Sequence, residues 1–378
     1  MASSLQIPYI GILATTRSQG GHMKRLKCIE KFIQGKVVFC GIDVHAKHWD
    51  LCYFCDGEVL EKLVIPGDFD RLKGHTESRY NGACSVHFVY EAGFSGFWLY
   101  RRLTDLGYKC TITPPSRVPI IDNKVKTDKR DAEKLARFLA GGLLKNVYVP
   151  PPSVEMDRQL LRLLRGYKKK LTRVKNQINA ILRLHGLSWD KTDGCRWTKR
   201  HVAWLEGLSF NGEASRFVLD QYLEEYRFLR SHIAELTQRI RKLSRSSAYQ
   251  KHFAYLISCK GVGLITAMTF LLELGELWRF PDTIKFCGYL GMTPSQHSSG
   301  ERVRLGHITH EGNSYVRHVL IESAWSVIRH DPFLRDKYDR LRARGTNGKK
   351  AIVAVARSLA VRLRRCLLEE TPYTIGVC

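Results

Sequence analysis

KVVFCGIDV at residues 36–44 is an apolar run with an acid, Asp43, near its end. Trp49 to Cys55 supplies a second strand pattern. Asp56-Gly57 is a tight-turn signal, and Val59 to Ile65 returns as a third strand. Working outward, Asp68 to Arg79 reads as a short helix, and Ala83 to Tyr90 as a fourth strand that ends at Glu91-Ala92-Gly93. Phe97 to Leu106 has helical spacing of apolar residues and is stopped by Gly107. Tyr108 to Thr113 is a fifth strand, closed by Pro114-Pro115. Three strands followed by alternating helix and strand predict an α/β domain with a mixed sheet.

Asp43 and Glu91 sit at strand ends, where such sheets place ligands. A linker later, KTDKRDAEKLA at 126–136 opens a helix predicted to run to about Ala140. Its aspartates, Asp128 and Asp131, are three apart and share a face. The bland account is a helix start whose carboxylates are favoured by the dipole and flanked by Lys126, Lys129 and Arg130. The strand-end acids change the balance, because an ionised carboxylate in an apolar strand is costly unless paired. Gathering Asp43, Glu91, Asp128 and Asp131 at one sheet edge makes sense if cations hold them together. Oxygen-only ligands favour Mg2+ or Mn2+ over zinc. Two such ions about 4 Å apart activate an attacking oxygen and stabilise a leaving one in phosphodiester chemistry.

The chain has 378 residues, enough for two or three domains, and 61 Lys+Arg against 36 Asp+Glu give a net charge of +25. That excess points to a polyanion, nucleic acid first. An anionic membrane is the competitor, but no apolar run reaches spanning length. The odd count of 11 cysteines, scattered through apolar segments, suits reduced thiols in a cytoplasmic protein. Cys52 and Cys55 form one C-x-x-C, but inside a strand their side chains point to opposite faces, which disfavours zinc. Leu5 to Ala14 is a poor signal peptide. Residues 1–35 read as a disordered extension, with Met23 as a second possible start that leaves 1–22 in question as native sequence.

NVYVPPPSV at 146–154 is a proline-rich linker into long basic helical patterns. Arg158 to Leu184 carries an apolar stripe of period near 3.5, with Arg162, Arg165, Lys168, Lys169, Lys170, Arg173 and Lys175 on its polar face. Phe217 to Leu243 is a second amphipathic helix. An antiparallel, coiled-coil-like hairpin with a solvated face accounts for both, and the cationic bias of the first favours phosphate contact. The intervening 185–213 read as irregular. Trp189, Trp197 and Trp204 there suit core packing, with stacking on bases as the alternative. SCKGVGLITA at 258–267 places a Gly-x-Gly turn before a helix, similar to the hairpin of helix-hairpin-helix DNA binders, a short motif whose alternative is a tight helix–helix turn. FCGYLGMTPSQHSSGERVR at 286–304 reads as a polar loop between apolar helices, with Ser298-Ser299-Gly300 at its centre and Arg302 and Arg304 behind. A serine nucleophile needs its proton removed and the phosphate neutralised, which metal-bound oxygens and arginines supply. Tyr315 to Arg329 and Lys349 to Leu368 give two closing helices.

From about residue 36 onward, the chain resembles transposases of the IS110/IS1111 insertion-sequence family. GIDVHAKHWD, VYEAGFSGFWLYRRL and KTDKRDAEKLARFL resemble the motifs of the family's RuvC-like DEDD domain. GVGLITAMTFLLELGELWRF and FCGYLGMTPSQHSSGERVRLGHITHEGNSYVRHVLIESAW resemble its C-terminal transposase domain. The resemblance implies that Asp43, Glu91, Asp128 and Asp131 bind divalent metal. It also implies that a serine in an S-G pair, Ser299 with Ser298 adjacent, attacks DNA and forms a phosphoserine link. It further implies oligomers, dimer or tetramer, in which one subunit's acids meet another's serine. It implies as well a structured bridge RNA, encoded by the element, that pairs with donor and target DNA. His310 stands where the family often has lysine, and so carries less charge at neutral pH.

The expected architecture is therefore α/β + α. An RNase H/RuvC-like domain over 36–145 is followed by a linker and basic helical hairpin over 146–250. A mostly helical C-terminal domain with a helix-hairpin-helix-like element and the serine loop covers 251–378. The expected protein is a cytoplasmic, nucleoid-associated, RNA-guided recombinase of double-stranded DNA. Nucleic-acid contacts are expected from Lys126, Lys129, Arg130, Lys168, Lys169, Lys170, Arg302 and Arg304. The alternatives are a RuvC/RNase H-type metal nuclease without a protein nucleophile, and a non-catalytic binder with a decayed acid site, against which the intact tetrad argues.

Overall fold

The computed structural model describes residues 29–119, 128–190, 192, 194–210, 212–299, 302–309 and 312–376, with backbone alone at 128–129, 296–299 and 302–305. The chain packs as two compact units that divide between Val149 and Pro150.

The first unit begins with a helical turn over 29–33, α1, whose Ile29 and Ile33 enter the core. The folded part thus starts before residue 36. Two isoleucines one helical turn apart are enough to seat a short helix, and the long-range bridge between Gln34 and Ala83 fixes its exit. Residues 1–28 lie outside the described residues.

Then come β1 (Val37–Val44), β2 (His48–Cys55), β3 (Glu58–Pro66), α2 (Phe69–Tyr80), β4 (Ser85–Glu91), α3 (Trp98–Asp105), β5 (Lys109–Thr113) and α4 (Asp128–Ala140). The strands form one sheet in the order β3-β2-β1-β4-β5. β1–β2 and β2–β3 are antiparallel, and β1–β4 and β4–β5 are parallel, so the sheet is mixed as expected. Alternation along the strands builds two cores. Val38, Cys40, Ile42, Leu51, Tyr53 and Cys55 share one with α2 and α3 residues such as Leu72 and Leu99. Phe39, Cys52 and Phe54 face Ala132 and Ala136 of α4 on the other side, and Val89 joins Leu135 and Phe138 there. Cys52 and Cys55 thus lie in different cores. Burial pushes the Cys52 thiol up to about 12, with Glu133 adding to the effect, and burial also raises Cys55.

Gly41 sets how closely α4 approaches β1. A Cβ at Gly41 would meet the Ala132 carbonyl oxygen and come within 2.8 Å of the Ala136 amide nitrogen. Only a residue without a side chain permits that contact.

The second unit comprises α5 (Pro152–Leu184), α6 (Lys199–Glu206), α7 (Glu213–Ser244), α8 (Gln250–Ile257), α9 (Leu264–Leu274), α10 (Thr283–Tyr289), β6 (Pro294–Ser299), β7 (Arg302–Ile308), α11 (Ser314–Val327), α12 (Pro332–Ala343) and α13 (Gly348–Leu368). Helices α5 and α7 form the hairpin through Val174, Ile178, Leu182, Leu219, Leu223, Tyr226 and Leu229. At the base of the hairpin Leu161, Leu164, Leu236 and Ile240 pack with Met268 and Leu272 of α9, so no break in packing falls at residue 250.

The stretch read as irregular holds α6, started by the Thr198 side chain accepting from the His201 amide. Its signal was weak because only His201 and Leu205, one turn apart, are buried. Trp189 donates through Nε1 to the Gly194 carbonyl at 2.9 Å and meets His201 and Trp204 edge-on. Trp197 lies 5.4 Å from Tyr226. These indoles form the tip of the hairpin's core.

The 286–304 stretch is likewise not a loop. Its start belongs to α10, and β6 and β7 pair as an antiparallel hairpin. A two-stranded ribbon is held by backbone hydrogen bonds, so its polar composition gave no alternating apolar signal. α12 was also unanticipated. It is capped by Asp331, which accepts from Phe333 and Leu334.

Between α8 and α9, Gly261 takes φ +107, and a Cβ there would come within 2.8 Å of the Val327 amide nitrogen. Close packing on the end of α11 explains this glycine without a ligand.

Candidate active site

The sheet register sets two of the predicted acids side by side. Gly41 opposes Val89 and Ile42 opposes Tyr90 in the parallel pair, so Asp43 and Glu91 occupy the next positions of adjoining strands. Both have the parity of Gly41 and Val89, which face α4. Asp131, in the first turn of α4, directly precedes Ala132, the residue against Gly41. Asp128 is the first residue of α4, one turn earlier. Hence the ends of β1 and β4 and the first turn of α4 place the backbones of these four acids at the same end of the sheet. Their donors are all carboxylate oxygens, a set that suits a hard divalent cation.

One acid escaped the sequence reading. Asp50 lies directly opposite Asp43 in the β1–β2 pair, and its side chain is 5% exposed. The available signal was the one used for Asp43, an acid within an apolar strand. Beside it, His45 Nε2 is 3.4 Å from Asp43 Oδ2, and His48 Nε2 is 3.6 Å from Asp50 Oδ2.

A second layer holds α4 in place. Glu133 accepts from Lys62 of β3 at 2.5 Å and from Arg137 at 2.7 Å, while Arg137 lies over the Phe54 ring. Burial alone would raise the Glu133 carboxyl, but hydrogen bonds from Lys62 and Arg137 outweigh it and hold it below the usual range. Its folded value being depressed, the stability it contributes is complete above the ordinary carboxyl pKa of about 4.3. That contribution is lost as pH falls through the folded value. Glu133→Gln is expected to cost about 1 kcal/mol at neutral pH. Urea unfolding of both proteins at pH 7 and pH 3 checks this, with the difference shrinking at the lower pH.

Of the expected nucleic-acid contacts, Lys126 lies outside the described residues, and for Lys129 the structure gives the backbone position in α4. Arg130 is exposed. On α5, Lys168, Lys169 and Lys170 are exposed and form no ion pair with a carboxylate among the described residues. Three other cations of that row work inside the unit instead. Arg162 binds Glu273 through Nε and Nη2 at 3.0 and 3.1 Å. Arg165 lies 4.7 Å from the centre of the Tyr315 ring, and Lys175 lies 5.0 Å from that of Trp197.

Ser299 pairs with Arg302, and Ser298 with Val303, at the far end of the β6–β7 ribbon; His297 pairs with Arg304. Gly300 and His310 lie outside the described residues. The ribbon runs into Asn313, which caps α11 by accepting from Tyr315 and Val316. Asn313 also donates through Nδ2 to Glu273 at 3.0 Å. The Arg162–Glu273–Asn313 chain thus ties the foot of the serine-bearing ribbon to α5 and α9.

A mixed five-stranded sheet of this order, with an acid-bearing helix laid on its central strand, defines a RuvC-like DEDD domain. Residues 40–186 match the DEDD transposase model of IS110 elements, and residues 254–339 match the model described as Transposase IS116/IS110/IS902 family. The chain is 33% identical over 302 residues to y4qE of Sinorhizobium fredii, named as a transposase, covering 73% of each protein. It is 28% identical over 243 residues to the transposase for insertion sequence element IS1533 of Leptospira borgpetersenii, covering 63% of this chain and 70% of that one. With the transposase for insertion sequence element IS1111A of Coxiella burnetii it shares 24% over 300 residues, 75% and 78% of the two chains. The chain belongs to the IS116/IS110/IS902 family of insertion-sequence transposases. It is thus a DNA-binding enzyme, and its DEDD domain implies dependence on a divalent metal. Among the described residues, no helix is long and apolar enough to cross a membrane.

Proposed function

We propose that this transposase cuts and rejoins double-stranded DNA through a covalent phosphoserine intermediate, with Asp43, Glu91, Asp128 and Asp131 holding Mg2+. The convergence of Asp43, Glu91 and the first turn of α4 on one sheet edge is the observation that carries this reading. Divalent cations held there supply positive charge to the phosphodiester and lower the pKa of the attacking hydroxyl. Ser299 Oγ forms a bond to phosphorus, and the bond from phosphorus to the departing sugar oxygen breaks. The serine proton leaves to solvent, and the sugar oxygen takes one up. A different sugar hydroxyl then reverses the step and frees the serine, so strands rejoin with no net hydrolysis.

The chain acts as a homo-oligomer, dimer or tetramer, in which the acids of one subunit serve the serine of another. It is guided by an element-encoded bridge RNA and resides in the cytoplasm on the nucleoid. The +25 charge and the exposed Lys168-Lys169-Lys170 run support binding of nucleic acid beyond the DNA at the reacting centre. Guide pairing places the sequence code in RNA and leaves the protein to grip backbone.

Covalent capture tests the mechanism. The protein with a nicked suicide DNA and Mg2+ is expected to give a protein–DNA adduct on a denaturing gel, absent in Ser299→Ala. Loss in Ser298→Ala alone moves the nucleophile by one residue. Cleavage that persists in Ser299→Ala, with free phosphate ends, identifies a water-using nuclease. Copurification of a discrete RNA, whose digestion abolishes DNA targeting, tests the guide.

A further inference from the structure

We infer that His45, His48 and Asp50 form a second cation site, bordering the carboxylate tetrad at Asp43, which takes a first-row transition ion of the zinc class. One ligand atom from each lies within 4.8 Å of the other two. His45 lies in the β1–β2 turn and His48 and Asp50 at the start of β2, and the turn is closed by the His45 amide donating to the His48 carbonyl at 3.0 Å. The imidazole rings are 4.8 Å apart between centres. His45 and His48 are half-exposed, whereas the Asp50 carboxylate is 5% exposed.

The donor set decides the kind of ion. Two imidazoles and one carboxylate match zinc, cobalt or nickel, whereas magnesium favours oxygen and water. Ligand atoms around tetrahedral zinc at about 2.0–2.1 Å lie about 3.3 Å apart. Rotation of the half-exposed His48 side chain brings the spacing toward that value. Three protein ligands leave a fourth position to water, the pattern of an open zinc site. Electrostatics favours occupancy as well. Asp50 faces Asp43 across the strand pair, and two like charges so placed repel. A divalent ion beside the buried Asp50 offsets that repulsion and ties the turn to β2.

The test uses the full-length protein in excess Mg2+, which fills oxygen-only sites. Titration with Co2+ is expected to give visible d–d absorption that saturates at about one equivalent and is displaced by Zn2+. Zn2+ is also expected to raise the melting temperature. His48→Gln and His45→Gln should each weaken Co2+ by at least about tenfold. Asp131→Asn, which alters the tetrad, should leave it unchanged. Absorption that survives both histidine variants, or carries the near-ultraviolet charge transfer of a thiolate ligand, overturns the assignment. So does the absence of saturable binding. Loss in Asp131→Asn alone means that the ion sits in the tetrad. Cleavage activity enters none of these readings, so failure of this site and failure of the tetrad are told apart.

Discussion

Asp43→Asn is expected to lower Mg2+-dependent strand cleavage by about 1,000-fold, equivalent to about 4 kcal/mol of barrier, without loss of thermal stability. The expectation follows from where the carboxylate sits. Asp43 ends β1, its side chain is 27% exposed, and its neighbour across the antiparallel pair is another acid, Asp50. Like charges directly opposed in a sheet are destabilising, so removing one relieves repulsion when no cation is bound. The amide keeps the shape and loses the charge that a divalent cation requires. Activity falls while the melting temperature holds or rises, the pattern of a group kept for function at the expense of stability. Rates on a labelled DNA substrate, with calorimetric melting in chelator, provide the measurement. A variant cutting within tenfold of the parent would remove Asp43 from the catalytic centre.

Gly41→Ala has the second large effect, on fold and activity together. A single methyl at this position would run into the backbone of α4 at Ala132 and Ala136. Both obstacles are backbone atoms within a helix, so no side-chain rotation relieves the clash. Overpacking of this kind costs about 3 kcal/mol. The helix responds by lifting from β1, which carries Asp131 away from the strand ends. Strand cleavage is therefore expected to fall by more than the folded fraction accounts for. Denaturant unfolding and cleavage, compared under conditions where the variant remains folded, check this. Full activity in a folded Gly41→Ala protein would show that the seat of α4 does not position the acids.

The strands were legible because apolar runs with strand spacing alternate with glycine and proline stops, as at Gly107 and Pro114-Pro115. The long helices showed equally well, since α5 and α7 repeat an apolar residue every three or four positions over many turns. Short elements were hidden. α6 buries only His201 and Leu205, and α1 shows only Ile29 and Ile33. The β6–β7 ribbon is polar and draws its cohesion from backbone hydrogen bonds, to which hydropathy is blind. In the candidate site, Asp43 and Glu91 stand out as acids in apolar strands and Asp128 and Asp131 by their spacing at a helix start, whereas Asp50 shares the strand signal with no motif to mark it. Arg162 read as one of a row of solvated cations, because its partner Glu273 is 111 residues away.

By itself the sequence determined the five strands of the first sheet, the long helices and the strong positive charge, and it singled out four acids as candidates. These follow from local periodicity and from the cost of placing charge in apolar segments, both of which act over a few neighbouring residues. Only the tertiary structure decided that Asp43 is flanked by Glu91 and faced by Asp50, and that Gly41 is the seat of α4. It also recruited Arg162, Arg165 and Lys175 into internal contacts and left Lys168–Lys170 exposed. Register, close packing and ion pairing join residues far apart along the chain, and spacing within a segment carries no information about such partners.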